Sequence, residues 1–158
     1  MPYVIIQPTV FMQMLTPAIQ SVKNGGPFIQ KFYTSVHTRM SYIDLNGYAE
    51  AAAEVITSGS YQYGTYEFCG DGACSLADME TIFSDLTGRK VTAAFISDRD
   101  FLEAAQLAPD SYAAKTLLTM FRHYNKNSFC GNDFTLRQIL GRPPVTVRAY
   151  LEKALKEV

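Results

Sequence analysis

The chain begins with a compact apolar run, Tyr3-Val4-Ile5-Ile6-Gln7, closed by Pro8. Consecutive β-branched residues without polar alternation predict a strand buried on both faces, as in a parallel sheet. Over 9–23 the period changes: Phe11, Leu15, Ile19 and Val22 recur at helical spacing until Asn24-Gly25-Gly26-Pro27 stops the pattern. Pro17 falls inside it, so a kinked helix or two short helices are both open. Short alternating runs at 28–33 and 40–44 predict strands. The alanine-rich stretch from Leu45 to Thr57 predicts a strong helix, closed by Ser58-Gly59-Ser60. A strand over 65–68 and a helix over 75–87 follow, with Gly88 where a left-handed terminating residue is wanted. Residues 90–96 read as a strand and Ser97 starts a helix to about Gln106. Pro109-Asp110 opens a helix with Leu117, Leu118, Phe121 and Tyr124 on one stripe. A short helix over 132–140 ends at Gly141, and Pro143-Pro144 introduces a terminal amphipathic helix. The order is mixed α/β with a helical C-terminal third. No repeat or linker divides residues 1–158, so a single domain is expected.

Composition agrees and narrows the partners. The chain has 158 residues, 47% hydrophobic and 18% charged, with a formal charge of −1. That is a globular balance, with no basic stripe for nucleic acid. The longest apolar run falls well short of the ~20 residues that span a bilayer. The three cysteines form an odd count, and the N-terminus carries no charged leader or cleavage pattern. A reduced, cytoplasmic protein is the expectation.

Cys69-Gly-Asp-Gly-Ala-Cys74 raises the question of chemistry. A zinc knuckle needs a second ligand pair, which Cys130 with His37 or His123 does not supply in knuckle form. A redox pair needs two intervening residues, and here there are four. A local account is complete: Ser75 is an N-cap, Asp78 three residues on supplies an acidic capping box, and Leu76, Met79, Ile82, Phe83 and Leu86 form the buried stripe. The stretch reads as a strand–turn–helix corner, and no metal is expected. Asp71 and Asp78 lack the ligand ladder of a calcium loop. His37, in a polar stretch with Thr38 and Arg39, is a candidate pocket-bordering residue, whereas His123 reads as a surface side chain. No nucleophile elbow, paired catalytic carboxylates, Tyr-x-x-x-Lys pair or Gly-x-Gly-x-x-Gly phosphate cradle is present, so no catalytic residue is assigned.

Four stretches together resemble the NmrA-like proteins, which are atypical short-chain dehydrogenase/reductases. "MPYVIIQPTVFMQ" (1–13) resembles their sixth strand and following helix, and "YIDLNGYAEAAAEVI" (42–56) their Ile-Asp-Val helix start. "GTYEFCGDGACSLADMETIFSDLTGRKV" (64–91) resembles the strand, corner and helix that end in Gly-Arg-Lys-Val. "LGRPPVTVRAYLEKA" (140–154) resembles the C-terminal Gly-Arg-Pro-Pro signature. Departures are Gln7 for Arg, Thr9 for Gly, and Gly47 for the helix-starting Asp, which leaves Asp44 or Asn46 to cap.

The resemblance implies the C-terminal, substrate-side portion of an NAD(P)-binding Rossmann-type protein, without its first five strands. A truncated gene, an engineered segment or a proteolytic product would each account for that. It implies that Pro8, Thr9, Val10 and Phe11 lie beside the nicotinamide in intact relatives, and that Phe11 and Met12, with His37, border a pocket for a small-molecule ligand. Intact relatives are NAD(P)H-dependent reductases or isomerases, or redox-sensing regulators. This chain alone is expected to hold no cofactor and to be inactive. Its exposed strand and helix predict a homodimer or larger homo-oligomer through residues 1–22. The rival reading is an interaction module that self-associates or docks a separate nucleotide-binding chain.

Overall fold

The structure, a computed structural model, describes residues 1–29, 35–94 and 97–157. Its elements run in the order β1 (Val4–Pro8), β2 (Val10–Phe11), a 3-10 helix (Met12–Leu15), α1 (Thr16–Lys23), β3 (Phe28–Ile29), β4 (Met40–Ile43) and α2 (Leu45–Thr57). Then come β5 (Gly64–Phe68), β6 (Ala73–Cys74), α3 (Leu76–Thr87), β7 (Ala93–Ala94), α4 (Asp98–Ala104), α5 (Tyr112–Asn127), α6 (Phe134–Leu140) and α7 (Val147–Lys156). Pro17 stands in the first turn of α1, where its missing N–H costs nothing. Of the two alternatives at 9–23, two short helices are therefore realised. The predicted strands 28–33 and 90–96 lie partly outside the described residues. The portions described, β3 and β7, pair in parallel.

The contacts fall into two compact units. The first comprises Met1–Thr16, Met40–Cys74 and Cys130–Val158, and the second Pro17–Arg39 and Ser75–Phe129. In the first, β1 pairs in parallel with β5 from Val4 opposite Gly64 to Pro8 opposite Phe68. β4 lies between β2, parallel to it, and β6, antiparallel. All four residues of β4 are buried. Ile43 joins Ala51, Val55, Phe68 and Leu136 in a core against which Val4, Ile6, Phe11 and Tyr48 pack. β1 departs from the expected double burial, since Val4, Ile6 and Pro8 are half-buried while Ile5 is 47% exposed. The cause is alternation: Val4 and Ile6 pack against the core, whereas Ile5 lies on the opposite face of the strand and stays exposed.

In the second unit Ser75 and Asp78 form the expected capping box. The Asp78 N–H donates to Ser75 Oγ at 3.1 Å, and the Ser75 N–H donates to Asp78 Oδ2 at 2.9 Å. Leu76, Met79 and Phe83 are the buried members of the predicted stripe. The helix ends on Gly88 at φ 67°, the left-handed conformation expected there. The next residue, Arg89, donates through Nη2 to Val22 O at 2.7 Å and Gly26 O at 3.0 Å. It thus reaches one carbonyl in the last turn of α1 and one in the loop that follows. A second core in this unit joins Phe101, Leu102, Ala114 and Phe121.

The corner after β5 turns on a close approach. A Cβ on Gly70 would lie 1.7 Å from Tyr42 O, so the backbone of the corner rests on that of β4. Gly70→Ala should destabilise the protein by about 3 kcal/mol or more, because a backbone clash has no flexible side chain to yield. Denaturant titration would measure it, and a change under about 1 kcal/mol would contradict the packing. Ser75→Ala should cost about 1 kcal/mol as a lost cap. The hydrogen bonds from Ser75, with the charge of Arg39, hold the Asp78 carboxyl below its ordinary 3.8. A lowered folded value means stabilisation present above the unfolded carboxylate range and lost as pH falls through the folded value. The gap in Tm between wild type and Ser75→Ala should therefore narrow from pH 7 to about pH 3; a constant gap would exclude this linkage.

Candidate functional site

At the C-terminal end of β1 the chain turns through Thr9, whose N–H donates to Phe68 O at 3.0 Å. Val10 and Phe11 then leave the β1–β5 pair and join β4 opposite Tyr42 and Ile43. The β1–β5 ladder runs past Pro8 to the Thr9 N–H, and only then does the chain change partner. Pro8, Thr9, Val10 and Phe11 are all half-buried. The ring of Phe11 meets Tyr48 edge-on at 5.2 Å, and Tyr48 meets Phe68 edge-on at 5.9 Å. Such edge-to-face contacts fix ring orientation as well as burying area. Met12 is fully buried. His37 lies in the second unit, exposed, with its N–H donating to Ser35 Oγ at 3.1 Å. The structure thus collects Pro8 through Met12 in the first unit, and His37 is not among the residues of that unit.

One turn beyond, a network centred on Asp44 links the corner to α2. Gln13 Nε2 donates to Asp44 Oδ1 at 3.1 Å, and the Leu45 N–H donates to Gln13 Oε1 at 3.2 Å. Asp44 Oδ2 accepts the Gly47 N–H at 3.1 Å, so Asp44, of the two candidates, caps α2. A cavity of about 270 Å³ opens beside this network, lined by Gln13, Asp44, Asn46, Tyr150, Lys153 and Glu157 with Val145, Ala149 and Ala154. Burial chiefly pushes the Tyr150 hydroxyl above its ordinary 10.0; the negative charge of Asp44 adds to this and a hydrogen bond to Thr16 opposes it. Tyr150 is therefore a neutral hydrogen-bonding group near pH 7, not a ready acid. Lys153 Nζ stands 3.7 Å from Glu157 Oε1.

Reading the sequence located Asp44 by its capping position but missed Gln13, Tyr150 and Lys153. The available signal was Tyr150 and Lys153 three apart on one helix face. Nothing in the spacing joins them to Gln13. Among the described residues no three His, Cys, Asp or Glu side chains gather to hold a metal. Cys69, Cys74 and Cys130 are thiols.

No family model matches the chain. It is similar to quinone oxidoreductase 2 of Escherichia coli strain K12, at 29% identity over 102 residues, covering 63% of this chain and 35% of that protein. Its fold is similar to that of an NADPH-dependent quinone oxidoreductase of Escherichia coli complexed with NADPH, with a TM-score of 0.78 and 21% identity over 97% of this chain and 53% of the other. It is likewise similar to the triphenylmethane reductase of Citrobacter sp., with a TM-score of 0.74 and 18% identity over 99% of this chain and 54% of the other. The chain spans about half the length of these solved structures and about a third of the curated relative. At such identities the likeness establishes the fold, and it runs through nearly the whole chain. The chain thus has a mixed α/β fold that follows about half of each of these two reductases.

Proposed function

We propose that this chain is the substrate-side part of an NmrA-like NAD(P)H-dependent reductase and that its β1 corner faces the reacting end of the cofactor. One observation carries the reading: nearly all of the chain follows the fold of two reductases, with Pro8–Phe11 at a strand end where the backbone changes partner. Brought to this chain as a proposal, the quinone and dye chemistry of those proteins suggests a flat, conjugated electron acceptor. The half-buried Phe11 ring, held edge-on by Tyr48, offers such a molecule an aromatic wall. In this reading Met12 belongs with Phe11 to the ligand pocket. The three thiols suit a reduced, cytoplasmic setting.

The sequence contains no glycine-rich cradle for a pyrophosphate, so this chain by itself should neither bind NADPH nor reduce quinones. Calorimetry should show no micromolar binding. Adding a separately produced nucleotide-binding segment of the Escherichia coli quinone oxidoreductase should give quinone-dependent NADPH oxidation, reduced severalfold by Phe11→Ala. Micromolar NADPH binding by the chain alone would overturn the assignment of roles.

A second reading is favoured by the outer edge of β1. Tyr3 and Ile5 are 51% and 47% exposed, and Tyr3 packs edge-on against the exposed Tyr63 at 5.7 Å. Among the described residues β1 has no strand on one edge, and such an edge beside exposed apolar side chains invites pairing. We infer self-association through residues 1–22, with the homodimer as its simplest form. Light scattering at tens of micromolar should report a mass above the monomer, and Ile5→Lys should shift it toward the monomer. A monomeric wild type at that concentration would remove this reading.

A further inference from the structure

The walls of the cavity beside Asp44 divide by chemistry. Val145, Ala149 and Ala154 are small and apolar, which keeps the space open. Asp44 contributes a carboxylate on a residue only 8% exposed, and Tyr150 a neutral phenol. Lys153 of α7 and Glu157, the residue that follows the helix, add opposite charges four positions apart. Their separation of 3.7 Å is too long for a good hydrogen bond, and both side chains are mostly exposed. Such a pair contributes little to stability and yields readily to a better partner.

Two carboxylates and one ammonium therefore share one small space. A simple anion would meet both carboxylates, and a simple cation would meet the ammonium. A molecule with an ammonium and a carboxylate on neighbouring atoms answers all three. Asp44 can take part without releasing α2: each of its oxygens accepts one hydrogen bond, from Gln13 and from Gly47, and each retains a further lone pair. The volume of about 270 Å³ lies at or below the lower end of pockets for drug-sized ligands, so the ligand is compact.

We propose that this cavity is a binding site for a small amino-acid-like zwitterion, its ammonium directed to Asp44 and Glu157 and its carboxylate to Lys153. The site uses none of Pro8–Phe11, so it stands independently of the reductase reading. Occupancy would join α7 to the first turn of α2 and to the 3-10 helix, the elements that support the β1 corner.

The test uses the full chain and L-serine as probe, followed by backbone amide NMR. Ethanolamine, which lacks the carboxylate, and lactate, which lacks the ammonium, are the half-ligands. Serine should produce saturable shifts at Asn46, Tyr150 and Lys153, with each half-ligand at least about tenfold weaker. Lys153→Met should weaken serine about tenfold or more while leaving ethanolamine unchanged. Ala149→Leu, a helix-compatible change that fills the space, should abolish serine binding while the spectrum remains that of a folded protein. Absence of saturable shifts at tens of millimolar, equal binding of serine and ethanolamine, or serine shifts unaffected by Ala149→Leu would each overturn the proposal.

Discussion

A carboxylate taken almost wholly out of water has to be matched on every side, and Asp44 shows what that requirement organises. One oxygen holds the amide of Gln13 and the other the first turn of α2. Gln13 in turn accepts the Leu45 N–H, so its side chain ties the 3-10 helix to the start of α2 by two hydrogen bonds. Removing either partner would leave buried charge incompletely solvated, which is far costlier than losing an exposed bond. The β1 corner immediately precedes Gln13, and its conformation is held from both ends: by Thr9 on Phe68 O and by Gln13 on Asp44. A polar cavity opens beside the same network, with Ala149 and Ala154 of α7 in its lining.

The stretches that resemble the NmrA-like proteins have separate physical tasks. In Gly-Arg-Lys-Val, Gly88 permits the left-handed end of α3, and Arg89 holds Val22 O at the end of α1 and Gly26 O in the loop beyond it. In Cys-Gly-Asp-Gly-Ala-Cys, the essential residue is Gly70, pressed against the carbonyl of Tyr42, while the cysteines pack as small apolar groups. In Ile-Asp-Leu-Asn-Gly, the aspartate caps and Gly47 supplies the N–H it binds. What looked like a cysteine site is a corner whose demands are steric.

Local rules reached far into this chain. The helix limits at Gly88 and Gly141, the caps at Ser75 and Asp44, and the buried stripe of α3 all depend on residues within a few positions of one another. The short strands were harder. β2 and β6 have two residues each, too few for any period, and they exist only because β4 supplies partners on both edges. β1 read as doubly buried because its β-branched run is what a central strand would carry, yet only the face with Val4 and Ile6 packs against the core and Ile5 on the other face is exposed.

The sequence by itself therefore determined the mixed α/β class, most helix boundaries, the nature of the cysteine stretch and the likeness to a family. Each follows from propensity, capping or turn chemistry, which act within one or two turns of chain. Tertiary structure alone decided that Gln13, Asp44, Tyr150 and Lys153 share one cavity, and that Gly70 must be glycine. Those facts depend on groups separated by tens of residues or more, and no local spacing encodes which of them the folded backbone will bring into contact.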